Sequence, residues 1–147
     1  TMNAGDQEVE EAFAPMSVAM TLEDDIDISR GDMIVRKNNQ PEALQEFDVM
    51  LCWLDDASAK PKAKYSVMHT SNEKKAMIKE VVYKMNINTF ERNNDDTSLN
   101  MNDIARVKLR TTHRLLVDSY RENRNTGSLV LIDDQTKITV AAGMILG

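Results

Sequence analysis

The chain has 147 residues, about the length of one domain, and 41% of them are hydrophobic, so it can bury a core. The sequence has no apolar run long enough to predict a transmembrane helix. It also has no basic start followed by an apolar stretch, the pattern that would predict a secretory signal. The single cysteine, Cys52, excludes an internal disulfide and fits a reducing compartment, so we expect a cytoplasmic protein without a membrane partner. The net charge of −6 argues against a protein built to bind nucleic acid phosphates.

The charge is unevenly distributed along the chain, which predicts two parts. Residues 1–46 carry a net charge of −8, whereas residues 47–147 carry +2. Residues 1–12 are acidic and weakly patterned, so we expect them to be mobile. Residues 36–45 lack a strand pattern and contain Pro41, which is typical of a linker.

Five segments alternate apolar and polar residues with the period of a β-strand, and a sixth is a continuous apolar run. In chain order these segments are 16–22, 47–53, 77–87, 105–111, the apolar run 129–132, and 138–144. The pattern places Met77 on the same face as Tyr83, and Met144 on the same face as Val140. Short strands separated by polar breaks predict a mostly β protein, either an antiparallel barrel or a sandwich.

The turns must form almost without glycine, because none lies between Gly31 and Gly127. We therefore expect Asn and Asp to supply the positive φ angles that tight turns need. The candidate turns are Asn38-Asn39, Asp55-Asp56, Ser71-Asn72, 93–96 and Asp133-Asp134. The acidic run 23–27 predicts a further solvated turn, after which Ile26 and Ile28 return to the core.

Residues for common nucleotide, metal and nucleophile sites are not present at the required spacings. The five glycines form neither GxxxxGKS/T nor GxGxxG, so we expect no nucleotide at such a loop. Cys52, His69 and His113 are far apart in sequence, which disfavours a zinc site or a Cys–His pair. We expect His69 to be a strand residue with an ordinary hydrogen bond. The sequence thus predicts no catalytic, cofactor-binding or metal-binding residue in this chain.

Arg106, Lys108 and Arg110 form a basic row on one face of the predicted strand 105–111. Such a row suits a phosphate or an acidic partner, and Arg121 and Arg124 add positive charge in a predicted loop. The alternative is a solvated outer face of the barrel, which the pattern favours because exposed charges are the norm.

Several segments of the chain resemble a known family. They are LEDDIDISRGDMIV at 22–35, YRENRNTGSLVLID at 120–133 and TVAAGMI at 139–145, with smaller matches at 82–92 and 99–107. From about Ala14 onward, the chain resembles the C-terminal part of the large, GTPase subunit of bacterial sulfate adenylyltransferase, a relative of elongation factor Tu.

The resemblance implies a domain layout. Residues 1–35 would be the terminal strands of the family's second barrel, here a β-hairpin from a partial barrel. Residues 46–147 would be its third, C-terminal domain, a six-stranded antiparallel Greek-key barrel. The family's nucleotide-binding domain is outside this chain, so GTP and magnesium are expected in that missing domain and no cofactor is expected in this fragment.

The resemblance also implies a function. The family couples GTP hydrolysis to the synthesis of adenosine phosphosulfate and pyrophosphate from ATP and sulfate, and a separate small subunit carries the adenylyl transfer. This chain would be a non-catalytic assembly domain of that nucleotidyltransferase complex, with the GTPase domain, the second barrel and the small subunit as partners. One alternative is an RNA- or partner-binding barrel of a translation elongation factor-like GTPase, which the net charge disfavours. The other is a stand-alone ligand-binding barrel, which a filled interior would disfavour.

Within the matching segment 120–133, the candidate site residues are Asn123, Arg124, Thr126 and Gly127. We expect them to form either a structural loop or a partner interface. Gly127 is expected to take a positive φ or to allow a close backbone approach. Asn123 and Arg124 are expected to fix the loop by hydrogen bonds to backbone carbonyls. No nucleophile or base lies beside them in the sequence, which favours a structural role over catalysis.

Overall fold

Ten strands and no helix occur in the part of the chain that the computed structural model describes, residues 1–60 and 62–146. These residues divide into two compact units, Thr1–Asp32 and the residues from Met33 onward. Within the same ranges, no helix has the length and hydropathy needed to span a bilayer.

The first unit contains a three-stranded antiparallel sheet. Its strands are β1 (Met2–Ala4), β2 (Gln7–Val9) and β3 (Ala19–Met20), with β1 in the middle. Gly5, with a φ of 63°, lies in the tight turn between β1 and β2. The hydroxyls of Thr1 and Thr21 are hydrogen-bonded at 2.7 Å. The β-hairpin of this unit therefore lies at residues 2–9, within the range that was predicted to be mobile.

The longer strands predicted on either side of the acidic turn are not formed. Within residues 16–32, only Ala19–Met20 is a strand. Leu22, Ile26 and Ile28 are 43%, 60% and 52% exposed, so the prediction that Ile26 and Ile28 return to the core was wrong. An amphipathic strand buries its apolar side only when neighbouring strands cover it, and three short strands are too few to do so.

The second unit is a closed barrel. Its strands are β4 (Glu42–Trp53), β5 (Lys64–His69), β6 (Asn72–Met85), β7 (Arg92–Asn93), β8 (Ile104–Val117), β9 (Ser128–Asp133) and β10 (Thr139–Ile145). The six long strands are hydrogen-bonded in the order β5-β9-β10-β4-β8-β6, and β5 also pairs with β6, which closes the sheet. The two-residue β7 adds to the end of β6. The predicted six-stranded antiparallel barrel is confirmed, and its first strand begins inside the predicted linker 36–45.

Alternate residues of β4 and β8 point into the barrel, as their sequence pattern predicts. The buried positions are Phe47, Val49, Leu51, Trp53, Ala105, Val107, Leu109 and Thr111. Gly143 on β10 allows this core to close, because a Cβ there would lie 2.5 Å from Val49 Cγ1 and 2.8 Å from Leu51 Cδ2. Inward side chains of all six long strands form one cluster, so side chains fill the interior as in other small barrels.

β-Bulges change the inward face part-way along two strands. On β6 the pairing with β8 shifts between Ile78 and Glu80 and again between Val81 and Tyr83, so Met77 pairs with Arg110 and Tyr83 with Arg106 on the outer face. On β10 the pairing with β9 shifts just after Thr139, and Met144 is 41% exposed. Met77 and Tyr83 therefore share a face, as predicted, because the second shift on β6 restores the alternation that the first reverses. The predicted face of Met144 was wrong, because the single shift on β10 reverses the alternation between Val140 and Met144.

The positive φ angles fall mainly on residues other than Asn and Asp. Among the non-glycine residues that the structure describes, the positive φ angles belong to Lys62, Thr70, Phe90, Asn102 and Lys137. Asn and Asp shape the turns through their side chains instead. Asn93 Oδ1 and Asp133 Oδ1 each accept hydrogen bonds from the backbone N–H groups two and three residues further on. The turn positions were thus better predicted than the way in which these residues make the turns.

Candidate interaction surfaces at the two ends of the barrel

Each end of the barrel carries loops with exposed side chains. Residues 86–103 connect the end of β6 to the start of β8, and residues 118–127 follow the end of β8. Because β8 runs the length of the barrel, these segments lie at opposite ends. We call them the 86–103 end and the 118–127 end.

Side chains of the 118–127 end form hydrogen bonds within their own loop. The Thr126 hydroxyl donates to Asp118 Oδ2 at 2.7 Å. Asn123 Oδ1 accepts hydrogen bonds from the backbone N–H groups of Asn125 at 3.0 Å and Thr126 at 3.4 Å. Asn123 therefore fixes the loop as an acceptor of backbone N–H groups, and not through the backbone carbonyls that the sequence analysis assigned to it.

Gly127 allows two backbone segments to approach closely. A Cβ at this position would clash with the backbone N and Cα of Tyr120 and would lie 2.7 Å from Asn123 O. The Gly127 N–H donates to Asn123 O at 2.8 Å, and the Gly127 carbonyl accepts from Ile145 N at 2.7 Å. Its φ is not in the positive region, so close approach is the reason for glycine here.

A buried histidine holds this loop against the barrel. His69, the last residue of β5, is 0% exposed, and its Nε2 donates to Thr126 O at 2.6 Å. A carbonyl oxygen only accepts, so Nε2 must carry a hydrogen. The His69 Nδ1 has no hydrogen-bond partner within the described chain. The sequence could not reveal this role, because 57 positions separate His69 from Thr126.

Arg124 differs from the other candidate residues of the loop. Its carbonyl accepts a hydrogen bond from the Ser128 hydroxyl, which fixes its backbone. Its side chain and that of Arg121 are exposed, and neither forms an ion pair with residues 1–60 or 62–146. Asn123, Thr126 and Gly127 are thus explained by the loop's own structure, whereas Arg124 presents a free charge.

Acidic side chains of β4 lie beside the basic row on β8. Arg106 Nε donates to Asp48 Oδ2 at 3.1 Å, and this carboxylate raises the pKa of Arg106 above its ordinary value. Glu46 accepts a hydrogen bond from Lys79 Nζ at 3.0 Å and lies 3.9 Å from Arg110. The hydrogen bond from Lys79 holds the pKa of Glu46 below its ordinary value.

The third member of the row, Lys108, lies directly opposite Asp48 in the register of β4 and β8. The row therefore belongs to a band of alternating opposite charges on the outer face of the barrel, which weakens its attraction for phosphate. The sequence shows that Glu46 and Asp48 face outward, since they alternate with buried residues, but it does not show that β4 pairs with β8.

The 86–103 end holds exposed and charged residues that no sequence motif marks. A tight turn beyond β6 presents Phe90, whose side chain is 76% exposed. Lys84 Nζ lies 3.0 Å from Asp96 Oδ2 and 2.9 Å from Asp103 Oδ2. Burial alone would lower the pKa of Lys84, but hydrogen bonds from its ammonium to Asp103 and Asp96 raise it. Hydrogen bonds from the Ser98 hydroxyl and from Lys84 lower the pKa of Asp96 to about 2.

The titratable residues that were considered for metal chemistry are spread over different strands. Cys52 is a half-buried free thiol on β4, His69 ends β5, and His113 lies on β8. Within the described ranges, no three His, Cys, Asp or Glu side chains are placed to hold a metal ion.

Comparison with known proteins shows what this barrel is similar to. Residues 46–146 match the family described as GTP-eEF1A C-terminal domain-like. The chain is 50% identical over 139 residues to the bifunctional enzyme CysN/CysC of Mycobacterium tuberculosis, covering 94% of this chain and 23% of that protein. It is 41% identical over 138 residues to sulfate adenylyltransferase subunit 1 of Sulfurovum sp., covering 94% of this chain and 29% of that protein.

The fold is also found in a solved structure. The crystal structure of Sup35 complexed with GDP matches with a TM-score of 0.73 at 16% identity, over 90% of this chain and 31% of that one. At that identity the likeness concerns the fold alone. The chain spans less than a third of the proteins that it matches. The predicted resemblance is confirmed, and the chain belongs to the GTP-eEF1A C-terminal domain-like family, with homologues among the sulfate adenylyltransferase subunit 1 proteins.

Proposed function

We propose that this chain is the non-catalytic assembly part of a sulfate adenylyltransferase GTPase subunit. Its barrel joins the GTPase domain and the second barrel of that subunit to a small catalytic subunit. The complex makes adenosine phosphosulfate and pyrophosphate from ATP and sulfate in the cytoplasm, at the expense of GTP. The GTP and magnesium belong to the domain outside this chain. The observation that carries this proposal is the 50% identity to a CysN/CysC protein over 139 residues.

The barrel itself supports a scaffold role. Its interior is filled by one cluster of apolar side chains, which disfavours a ligand-binding barrel. Its loops contain backbone fixed by hydrogen bonds, as in the segment from Asp118 to Gly127, and a pre-ordered segment loses less entropy when a partner docks.

The alternative function is RNA or partner binding in a translation elongation factor-like GTPase. The observation behind it is the family match over residues 46–146, whose description names GTP-eEF1A. The charges on the outer face of the barrel argue against RNA binding. Arg106 and Arg110 on β8 lie beside Asp48 and Glu46 on β4, so fewer free cations remain to contact phosphates.

Co-purification tests the proposal. The full-length parent subunit and the small subunit of the same organism are co-expressed with a tag on one of them. We expect a stable complex that makes adenosine phosphosulfate from ATP and sulfate. The parent alone, titrated with transfer RNA at low salt, is expected to show no saturable binding. A parent that fails to bind the small subunit but binds RNA tightly would favour the alternative.

A further inference from the structure

One side of the barrel presents mostly apolar residues on its outer face. Two rows of paired residues cross β9, β10 and β4 there, and their members are Val130, Ala142 and Cys52 in one row and Ser128, Met144 and Met50 in the other. These side chains point outward, because their neighbours along each strand point into the core. None of the six residues is charged. We call the surface that these six residues form the β10 side of the barrel.

Large apolar side chains extend this surface beyond the ends of the strands. Ile138 immediately before β10 is 56% exposed, Leu146 immediately after β10 is 41% exposed, and Leu54 immediately after β4 is 45% exposed. The Leu146 N–H donates to Asp48 O at 2.9 Å, and the Leu54 N–H donates to Val140 O at 2.7 Å, so both residues are held beside β4 and β10. A contiguous apolar surface of this kind marks an interaction site, whereas scattered apolar residues do not.

The sequence patterns of the strands separate this side from the rest of the barrel. β8 alternates buried apolar residues with the outward cations of the basic row, as expected of a strand with one face in water. β9 and β10 do not alternate in this way. Leu129–Ile132 is a continuous apolar run, and β10 contains no charged residue. Strands that are covered on both faces have this pattern, so we expect a second layer outside β9 and β10.

The lack of charge favours a covering layer that is covalently attached to the barrel. The chain spans 23% of one relative and 29% of another, so the parent subunit of the proposed function has most of its length outside this chain. A domain on the same polypeptide is present at a high effective concentration and needs no electrostatic steering to reach the surface. A separate protein is steered by complementary charges, and it would leave the apolar surface exposed to aggregation until the two met.

We infer that the β10 side packs against another domain of its own subunit, one that lies outside this chain and presents an uncharged, apolar surface. This inference rests on the proposed function, from which it takes the parent subunit with its further domains. A large apolar interface restricts the relative motion of domains. The barrel is therefore fixed to that domain, and its charged side, which includes β8 and β6, faces away from the contact.

Oxidation of methionine by hydrogen peroxide measures whether the β10 side is covered. Met144 on the β10 side and Met77 on the outer face of β6 are similarly exposed, at 41% and 36%. In the 147-residue chain, we therefore expect peroxide to oxidise the two thioethers at rates within about threefold of each other. In the full-length parent without the small subunit, Met144 should be oxidised about tenfold more slowly than Met77. Mass spectrometry measures both rates in one sample, so Met77 is an internal control.

A charged substitution tests whether the contact stabilises the subunit. Met144→Glu and Met77→Glu place the same carboxylate at two outward positions of similar exposure. In the 147-residue chain, each variant should unfold within about 2 °C of wild type, because both positions face solvent. In the parent, Met144→Glu should unfold about 4 °C below wild type, since its carboxylate would be buried without a partner, whereas Met77→Glu should match wild type. Scanning calorimetry measures both. An equal decrease for Met144→Glu in the chain and in the parent would indicate a defect within the barrel and contradict the inference.

The oxidation rates also identify the occupant of the surface. If Met144 is protected only after the small subunit is added, the small subunit covers the β10 side, so the inference is wrong and the proposed function stands. Protection that appears only at high concentrations of the parent would assign the surface to a second copy, which also overturns the inference. The same holds if Met144 and Met77 react at equal rates under every condition. A parent that binds no small subunit but protects Met144 would overturn the proposed function and support the packing inference.

Discussion

Asp96 is a surface carboxylate in an environment that strongly favours its ionised form. Its Oδ1 accepts hydrogen bonds from the Ser98 hydroxyl at 2.6 Å and the Ser98 N–H at 3.0 Å, and its Oδ2 accepts from Lys84 at 3.0 Å. These bonds lower the pKa of Asp96 from 3.8 to about 2. A group with a depressed folded-state pKa stabilises the fold above its unfolded-state pKa. That contribution is lost as the pH falls through the folded-state pKa.

Asp96→Asn should therefore destabilise the barrel slightly at pH 7, since the ion pair with Lys84 is lost while Asn can still accept from Ser98. The difference in unfolding temperature between wild type and variant should shrink as the pH falls from 3.8 to about 2, and it should disappear only below the folded-state pKa of about 2. Thermal unfolding followed by circular dichroism across this range measures it. Asp95→Asn removes no ion pair and should match the wild type throughout. A difference that persists unchanged at pH 2 would contradict the assignment.

Single side chains also show what the sequence can and cannot reveal. The burial of Phe47 and Leu109 follows from the alternation of apolar and polar residues, which is visible in the local sequence. The positive φ of Phe90 does not, because the surrounding turn imposes it against the residue's own preference. The contact between His69 and Thr126 joins distant strands, so it becomes visible only when the barrel closes.

At the level of elements, the sequence pattern predicted five of the six long barrel strands, β4, β6, β8, β9 and β10, but neither β5 nor the bulges. β4 and β8 keep their alternation along the core, and both were predicted with the correct inward face. The pairing is interrupted twice on β6 and once on β10, and nothing local in the sequence marks the extra residues. The resemblance identified the loop after β8, but its hydrogen bonds came from the structure alone.

The 118–127 loop provides an element-scale prediction through Gly127→Ala. The added Cβ would meet the backbone of Tyr120 and Asn123, which cannot move aside as a flexible side chain would. We expect a loss of about 2–3 kcal/mol in the free energy of unfolding, as for other overpacked sites. Urea titration measures this loss. Asn125→Ala in the same loop is the control and should stay within about 0.5 kcal/mol of wild type. A Gly127→Ala variant as stable as that control would contradict the close approach described here.

At the scale of the whole molecule, the positions of the glycines argue against a glycine-rich loop that binds nucleotide phosphates. The five glycines lie at positions 5, 31, 127, 143 and 147, too far apart to wrap phosphates. We therefore expect no saturable binding of GTP by the 147-residue chain in calorimetry with magnesium present. The full-length parent is the positive control under the proposed function. A micromolar affinity in the isolated chain would contradict the expectation that GTP belongs to another domain.

The closed order of the strands has a consequence for how the protein is made. β10, the last strand in the chain, lies between β9 and β4. On the ribosome, β4 emerges long before β10. Until β10 pairs with it, β4 has an unpaired edge and an exposed apolar face that includes Val49 and Trp53. Nascent chains of this protein should therefore depend on chaperones until β10 has emerged from the ribosome and paired with β4, and a high concentration of nascent chains should favour aggregation through β4.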